Sequence, residues 1–543
     1  MLRRSRFSSI CSLLLALCLT HTGCFSDNEP ATYYGKIVPP KSQEFRWSNG
    51  GLPQTFDPAF AAAPPDTDAV RALFEGLTDY DSKTLAPVPA VATRWESSQD
   101  GRVWTFYLRD NARWSNGEKV TAEDFVRSWE RTLKIGSLAP HTELLANIEG
   151  ATPTAPSPKP EEQPTPDRFG ARAINEHVLQ VTLEHADDNF PALVAHPVFR
   201  PVKVTDADHT SRLDSHELIS NGAFLLSATE NNRVRLERAK TYWDDKSVAL
   251  DGVTFVNTTS AEDALTAYEA GEIDAVTNAP FEPLALKLLA PYKDFHRSTY
   301  GALTYYGFNT SREPFDDVRV REALALAIDR ERISRNDLGG ATEPAGKFLP
   351  EAMSGEKPVV DKAELLEYDV NKARELLAEA GYANGEGFPV IRLLINRNEQ
   401  QRIVAQSIAT MWRAALNIET EIAIRNWEDY EAAIQAGDYD VVRRGMVMKT
   451  TSEFMNLRML FEHDAPAVAV VPEGSDELPA PAPEEKRVVV ETESQALKDL
   501  KAVPIYFASS YSLVKPYVSG FNANVLDVPS LKKTRMDTNW TQP

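Results

Sequence analysis

The chain has 543 residues, 42% of them hydrophobic and 25% charged, enough apolar mass for two or three domains with cores of their own. Its formal net charge of −21 excludes an extended nucleic-acid-binding face and a broad basic membrane surface. The three cysteines, Cys11, Cys18 and Cys24, crowd the N-terminus, so the body of the chain has no disulfide, no cysteine-ligated zinc site and no thiol nucleophile.

Arg3, Arg4 and Arg6 precede an apolar run, Ile10 to Leu19, and then His21-Thr22-Gly23-Cys24. That pattern predicts a signal peptide over residues 1–23. The run is too short to cross a bilayer as a stable helix. Cys24 after Gly23 resembles a bacterial lipoprotein box, in which the cysteine is lipidated and becomes the mature N-terminus. Ordinary signal cleavage is the other reading, because His21 stands where the box prefers Leu. Residues 24–44 then form a lipid-anchored tether, polar and carrying proline pairs.

In chain order, Phe45 to Phe60 reads as a strand and a loop, and Asp68 to Leu77 as a helix ending near Gly76. Val103 to Leu108 is aromatic and β-branched, which suits a packed strand. Ser115-Asn116-Gly117 reverses the chain, since Asn-Gly tolerates positive φ. Thr121 offers a cap to the next helix, Glu123 and Asp124 favour its first turn, and Phe125, Trp129 and Leu133 recur at helical spacing. Residues 151–167 are Pro-rich and polar, an exposed insertion.

Val178 to Leu183 alternates as a strand, and Ser220 to Trp243 as a meander. Val253 to Val256 is a strand, and Ala261 to Ala270 is a helix closed by Gly271. Tyr300 to Phe308 is strand-like. Helices are expected over Asp317 to Ile333, from Asp369 to Ala380, and over Glu399 to Leu416. Strands at Val390–Ile395 and Ile418–Ile424 flank the last of these, a β-α-β order that points to a mixed sheet covered by helices. A second Pro- and acid-rich stretch, 465–486, reads as a solvated loop. Strands at Val503–Phe507 and Tyr511–Val518 close the chain.

Catalytic signatures are missing: there is no HExxH, no Gly-rich phosphate loop, no GxSxG and no EF-hand spacing. The nine histidines are scattered. His177 and His185 stand eight residues apart, without ligand spacing, and are assigned surface or packing roles. Asp316-Asp317 reads as a helix cap rather than an acid–base pair. No enzyme activity, cofactor or metal is expected.

Four separated stretches carry a resemblance. They are FEGLTDYDSKTLAPVPAVATRWE with WSNGEKVTAEDF, SNGAFLL…VRLERAKTYWDD, YYGFNTSREPFDDVRVREALALAIDRERI and VPIYFASSYSLVKPYVSGFNANVLD. In this order they resemble family 5 (cluster C) of the extracellular solute-binding proteins, the oligopeptide-binding branch of ABC importer components. The resemblance implies an α/β, two-lobed periplasmic-binding-protein-like fold with an extra domain inserted in lobe I. Lobe I is expected over 25–74, 206–300 and 505–543, the extra domain over 75–205, and lobe II over 301–504. The ligand would sit between lobes that close on it.

The same resemblance places the ligand site. Arg443 falls on the family's arginine, Gly445 on its glycine, Met446 on its tryptophan and Lys449 on the aspartate that pairs with a peptide's α-ammonium. Lys449 is a charge reversal, which turns a buried attraction into a repulsion. The ligand would then present a carboxylate or another acidic group to Lys449 and Arg443, against a wall that Met446 makes adaptable. A gap of a few residues would instead remove Lys449 and bring in Glu453. Tyr300 and Tyr305 match pocket tyrosines, with core or hinge packing as the other reading. Ala62, Ala63 and Pro64 match a stretch that pairs backbone-to-backbone with an extended peptide, and Pro64 and Pro65 lack the amide donors for it.

The function implied is a lipid-anchored receptor, on the periplasmic side of a bacterial membrane. It captures a peptide or peptide-like solute and delivers it to ABC transporter permease subunits. A monomer is expected, touching the membrane through its lipid alone and no nucleic acid. The alternative is an exported scaffold or sensor that has kept the fold and lost peptide binding.

Overall fold

Alternation in Val103–Leu108 decides its environment: Trp104, Phe106 and Leu108 point inward and are buried, with Val103, Thr105 and Tyr107 between them half-buried. In the computed structural model, which describes residues 32–151, 169–204, 210–353, 365–462, 490 and 492–542, this strand lies inside a four-stranded antiparallel sheet. Its neighbours are Ala92–Ser97 and Val178–Thr182, with Ala171–Asn175 beyond. The signal segment, Cys24 and the Pro-rich stretches at 152–167 and 465–486 lie outside the described residues.

The chain reverses at Gly117, whose φ of 90° favours glycine. It enters the helix Ala122–Ile135 through a capping box, in which the Asp124 carboxylate accepts from the Thr121 amide at 2.9 Å and from its hydroxyl at 3.0 Å. Phe125, Trp129 and Leu133 bury one face of the helix, each worth about 1.5–3 kcal/mol. The Trp129 indole donates to the Phe199 carbonyl at 2.9 Å.

An 11-stranded mixed sheet runs through the molecule. Across it the order is Thr420–Arg425, Ile391–Asn396, Val441–Val447, Phe295–Phe308, Ala502–Val514, Ala275–Thr277, Glu44–Asn49, Gly252–Val256, Arg233–Arg238 and Phe224–Glu230. Thr342–Pro344 pairs off this path with Ala502–Val514. The two long antiparallel strands in the middle, Phe295–Phe308 and Ala502–Val514, pair from Phe295↔Leu513 to Gly307↔Ala502. Their register shifts between Thr299 and Leu303 and again between Thr304 and Tyr305.

One large core gathers Phe45, Trp47, Trp104, Phe106, Trp129 and Phe255; another gathers Leu303, Tyr306, Leu324, Ile391, Trp412 and Ile505. Two large cores joined through two adjacent strands that slip register make a two-lobed α/β fold. At the slip, the Gly301 amide donates to the Val525 carbonyl and the Gly301 carbonyl accepts from the Met448 amide, both at 2.7 Å.

Three expected elements differ. The helix expected over 68–77 is observed as Asp66–Leu73, ending where Phe74 turns extended. The helix expected over 317–333 is observed as Val318–Leu326, capped by the Asp317 carboxylate on the Arg319 amide. It breaks because the Asp329 carboxylate accepts from the Arg332 amide at 2.9 Å and starts a new turn. The strands expected at 503–507 and 511–518 are one strand, Ala502–Val514, followed by Val518–Ser519. Ala508, Ser509 and Ser510 find ladder partners in Thr342, Thr299 and Ser298, so nothing there forces a turn. Among the described residues no helix is long and apolar enough to cross a membrane.

Candidate functional site

The strap from Ala59 to Pro65 is fixed at its start by Asp57. That carboxylate accepts from the amides of Ala59 and Leu213, each at 3.0 Å, and from the Arg131 guanidinium at 3.1 and 2.7 Å. Both ionic side chains are 1% exposed. The Asp57 carbonyl accepts from the amides of Phe60 and Ala61. Further on, the Ala62 carbonyl accepts from His141 Nε2 at 2.8 Å, and the Ala63 carbonyl accepts from the Thr67 amide at 3.1 Å. Ala62 and Ala63 are exposed and Pro64 is half-buried.

Because a carbonyl only accepts, His141 carries its proton on Nε2, and its buried Nδ1 stands 3.7 Å from Glu143 Oε1. The ring meets His196 edge-on at 4.9 Å. His196 is held neutral: burial first, then His141, Lys449, Arg71 and Arg200, drive it well below the usual histidine range. Its Nδ1 accepts from the Val198 amide at 3.2 Å.

Lys449 belongs to the same neighbourhood, from the other half of the sheet. It follows the strand Val441–Val447, next to Met448, whose amide is pinned to Gly301. Burial lowers its ammonium below the ordinary lysine range, and the Glu143 carboxylate opposes that shift. Glu453, the residue that a gap would have substituted, is engaged elsewhere: its carboxylate accepts from the Glu493 amide at 2.7 Å.

Arg443, Gly445 and Met446 lie on that strand, opposite Tyr306, Thr304 and Leu303. The Arg443 guanidinium covers Gly445, where a Cβ would come within 3.1 Å of Nη2, and it reaches the Thr304 hydroxyl at 3.4 Å. The Tyr430 hydroxyl donates to the Arg443 carbonyl. Met446 packs on the second core. Arg443 and Lys449 therefore have different surroundings.

Tyr305 is buried in the second core, opposite Arg444 and Pro504. Tyr300 is half-buried at the register slip, and burial, with Asp527 and Asp68 nearby, pushes its phenol up to about 12. Asp68 is buried and raised to about 7 by desolvation, although the Asn49 amide donates to it at 2.8 Å; burial likewise raises Asp527 to about 6.

The structure thus sets His141 on the strap with Glu143 and His196 beside it, three residues that no spacing pattern singles out, and the charge of Lys449 acts on the last two. Their only sequence signal is the two isolated histidines. Among the described residues no group of three or more His, Cys, Asp or Glu is placed to hold a metal ion.

Comparison with known proteins adds three findings. The model of the bacterial extracellular solute-binding proteins, family 5 Middle, matches residues 86–466. The periplasmic murein peptide-binding protein MppA of Escherichia coli is 32% identical over 491 residues, covering 87% of this chain and 89% of MppA. The periplasmic oligopeptide-binding protein OppA of the same organism is 31% identical over 498 residues, with the same coverage. A solved structure of MppA, a murein tripeptide binding protein in its unliganded open form, superposes with a TM-score of 0.76 at 28% identity, covering 92% of this chain and 98% of that one.

Proposed function

This chain belongs to family 5 of the bacterial extracellular solute-binding proteins, and from that premise we propose that it captures a peptide or peptide-like solute between its lobes and hands it to the permease of an ABC importer. The observation that carries the reading is the arrangement at the slip. Two adjacent strands join two large cores, and the ligand would sit between the lobes they connect. A ligand touching both sides favours the closed arrangement by the contacts that only closure completes.

In this reading lobe I comprises 25–74, 206–300 and 505–543, the extra domain 75–205, and lobe II 301–504. The site residues are Ala62, Ala63, Pro64, Tyr300, Arg443, Gly445, Met446 and Lys449, with Tyr305 supporting the wall from the core. The receptor is a monomer on the periplasmic side, anchored by lipid on Cys24 after loss of residues 1–23.

Native mass spectrometry of the soluble form starting at Phe25, purified from an exporting host without denaturation, tests the reading. A co-purifying mass that fragments as a peptide is expected. Ligand-free protein that also ignores a tripeptide pool in thermal-shift assays would overturn it.

A further inference from the structure

Pro283–Leu289, Pro-Leu-Ala-Leu-Lys-Leu-Leu, has the composition of a core helix, yet Leu289 is its one buried residue. Leu284 and Leu288 are 68% and 65% exposed, among the most exposed large apolar side chains of the described residues. Four residues apart, they share one helix face. Lys287 is exposed between them, and Ala290, Pro291 and Lys293 continue the exposed surface. Of the acids in this stretch, Glu282 is exposed at the helix start, and Asp294 is 1% exposed and turned inward. Scattered single leucines on a surface are ordinary, whereas an apolar pair on one face flanked by lysines suits a second surface.

The chain's own N-terminal segment is fastened beside this face. The Lys293 amide donates to the Thr32 carbonyl at 3.1 Å, and the Tyr34 amide donates to both oxygens of Asp294, at 2.9 and 3.2 Å. The Tyr34 carbonyl accepts from the fully buried Lys515 ammonium at 3.1 Å, and the Lys36 amide donates to the Glu269 carbonyl at 2.8 Å. The Tyr34 ring meets Tyr292 edge-on at 5.3 Å and stacks on Tyr268 at 6.3 Å, in the small core that holds Leu289. Gly35 makes the close approach possible, because its φ is 71° and a Cβ would come within 2.4 Å of Glu269 Cα. Of the tether expected over 24–44, the part from Thr32 to Lys36 is thus clipped to lobe I. From Cys24 to Thr32 the chain reaches at most about 30 Å. A lipid on Cys24 would hold the bilayer within that reach of Thr32, and so beside Lys293 and the exposed leucines.

Resting on the lipid anchor in the reading above, we propose that the exposed face of Pro283–Leu289 lies on the bilayer surface. Leu284 and Leu288 enter the headgroup region, and Lys287 and Lys293 meet anionic lipid, the division of labour of an interfacial helix. The chain's net charge of −21 disfavours any other broad contact with an anionic membrane, so lobe I faces the bilayer and lobe II stays free to move.

The test uses the mature lipidated protein in vesicles of phosphatidylethanolamine and phosphatidylglycerol. Lipidation consumes the Cys24 thiol, and Cys11 and Cys18 lie in the cleaved segment, so Leu288→Cys takes a single environment-sensitive dye. Glu428→Cys, exposed on lobe II, is the control. Thermal unfolding confirms the fold of each variant. Lipid-borne quenchers at two depths should place the dye at 288 about 5–10 Å below the membrane surface and leave the dye at 428 unquenched. Leu284→Ser with Lys287→Glu should return the dye at 288 to water. A lipidated protein whose dye at 288 is no more quenched than that at 428 overturns the inference and leaves the anchor and the receptor reading standing. Quenching that survives the double variant overturns the role given to Leu284 and Lys287. Protein exported without lipid defeats the anchor and this inference together, while peptide capture stands. A soluble form starting at Phe25 that dimerises, and becomes monomeric with Leu284→Ser and Leu288→Ser, gives the face to a second copy and also overturns the inference.

Discussion

Arg131→Met is the perturbation whose cost the structure sets most tightly. The Arg131 guanidinium holds Asp57 through two bonds, and it also donates to the Ser211 carbonyl at 2.8 Å. Both charges are almost fully buried, so removing the arginine leaves a desolvated carboxylate without its counter-ion, a loss of about 3–5 kcal/mol. Asp57 keeps the amides of Ala59 and Leu213, which places the expected loss near the lower figure, about 3 kcal/mol. Urea unfolding followed by tryptophan fluorescence reads this as a lower midpoint with an unchanged slope. The double variant Asp57→Asn with Arg131→Met carries no buried charge and should recover most of the loss. Since Asp57 also sets the strap, peptide retention should fall more than the folded fraction does. A loss under about 1 kcal/mol, or a double variant worse than the single by the full cost of Asp57→Asn alone, would refute the argument that this pair is a coupled buried unit.

Three further outcomes follow from other residues. A valine at Gly301 would place its Cβ 3.1 Å from the Val525 carbonyl and 3.0 Å from Met353 Cε, so Gly301→Val should destabilise by about 1–3 kcal/mol and weaken ligand-induced closure, checked by urea unfolding and scattering. Asp68 and Asp527, raised to about 7 and about 6, hold protons when folded that they release when unfolded. Stability contributed by this pair is therefore present below about pH 4 and lost as pH rises through the folded values, by up to about 1.4 kcal/mol per pH unit for each group. Asp68→Asn should be more stable than the parent at pH 8, with the advantage shrinking between pH 7 and pH 4, as thermal unfolding across pH would register. Cys24→Ala should leave the exported protein out of the membrane fraction and unlabelled by radioactive palmitate, whereas unchanged membrane association would remove the lipid anchor.

The parts of the fold written in local chemistry were legible. Ser260 caps its helix on the Asp263 amide, and Gly271 closes it in the left-handed region, both within a dozen residues of sequence. The helix Glu399–Leu416 begins at the Asn398 side chain and ends at Asn417 for the same reason. Asp329 shows where such reading fails, because its carboxylate competes with a helix that periodicity alone would continue. The site was legible only along its own strands. Ala62, His141, Glu143, His196 and Lys449 come from four distant segments, and nothing periodic links them. Nor does Asp-Thr-Asp at a helix start, ordinarily a solvated acidic turn, reveal that Asp68 is buried.

Closure on a ligand is the central claim, and a distance across the sheet tests it most directly. The cysteines all lie at or before residue 24, so Lys240→Cys with Glu428→Cys, both at exposed positions, gives clean spin-label sites in the soluble form starting at Phe25. Pulsed electron resonance should show one long distance in the ligand-free protein, shifting to a shorter one when the retained tripeptide pool is added. A distance that stays unchanged while peptide is demonstrably bound would contradict the account.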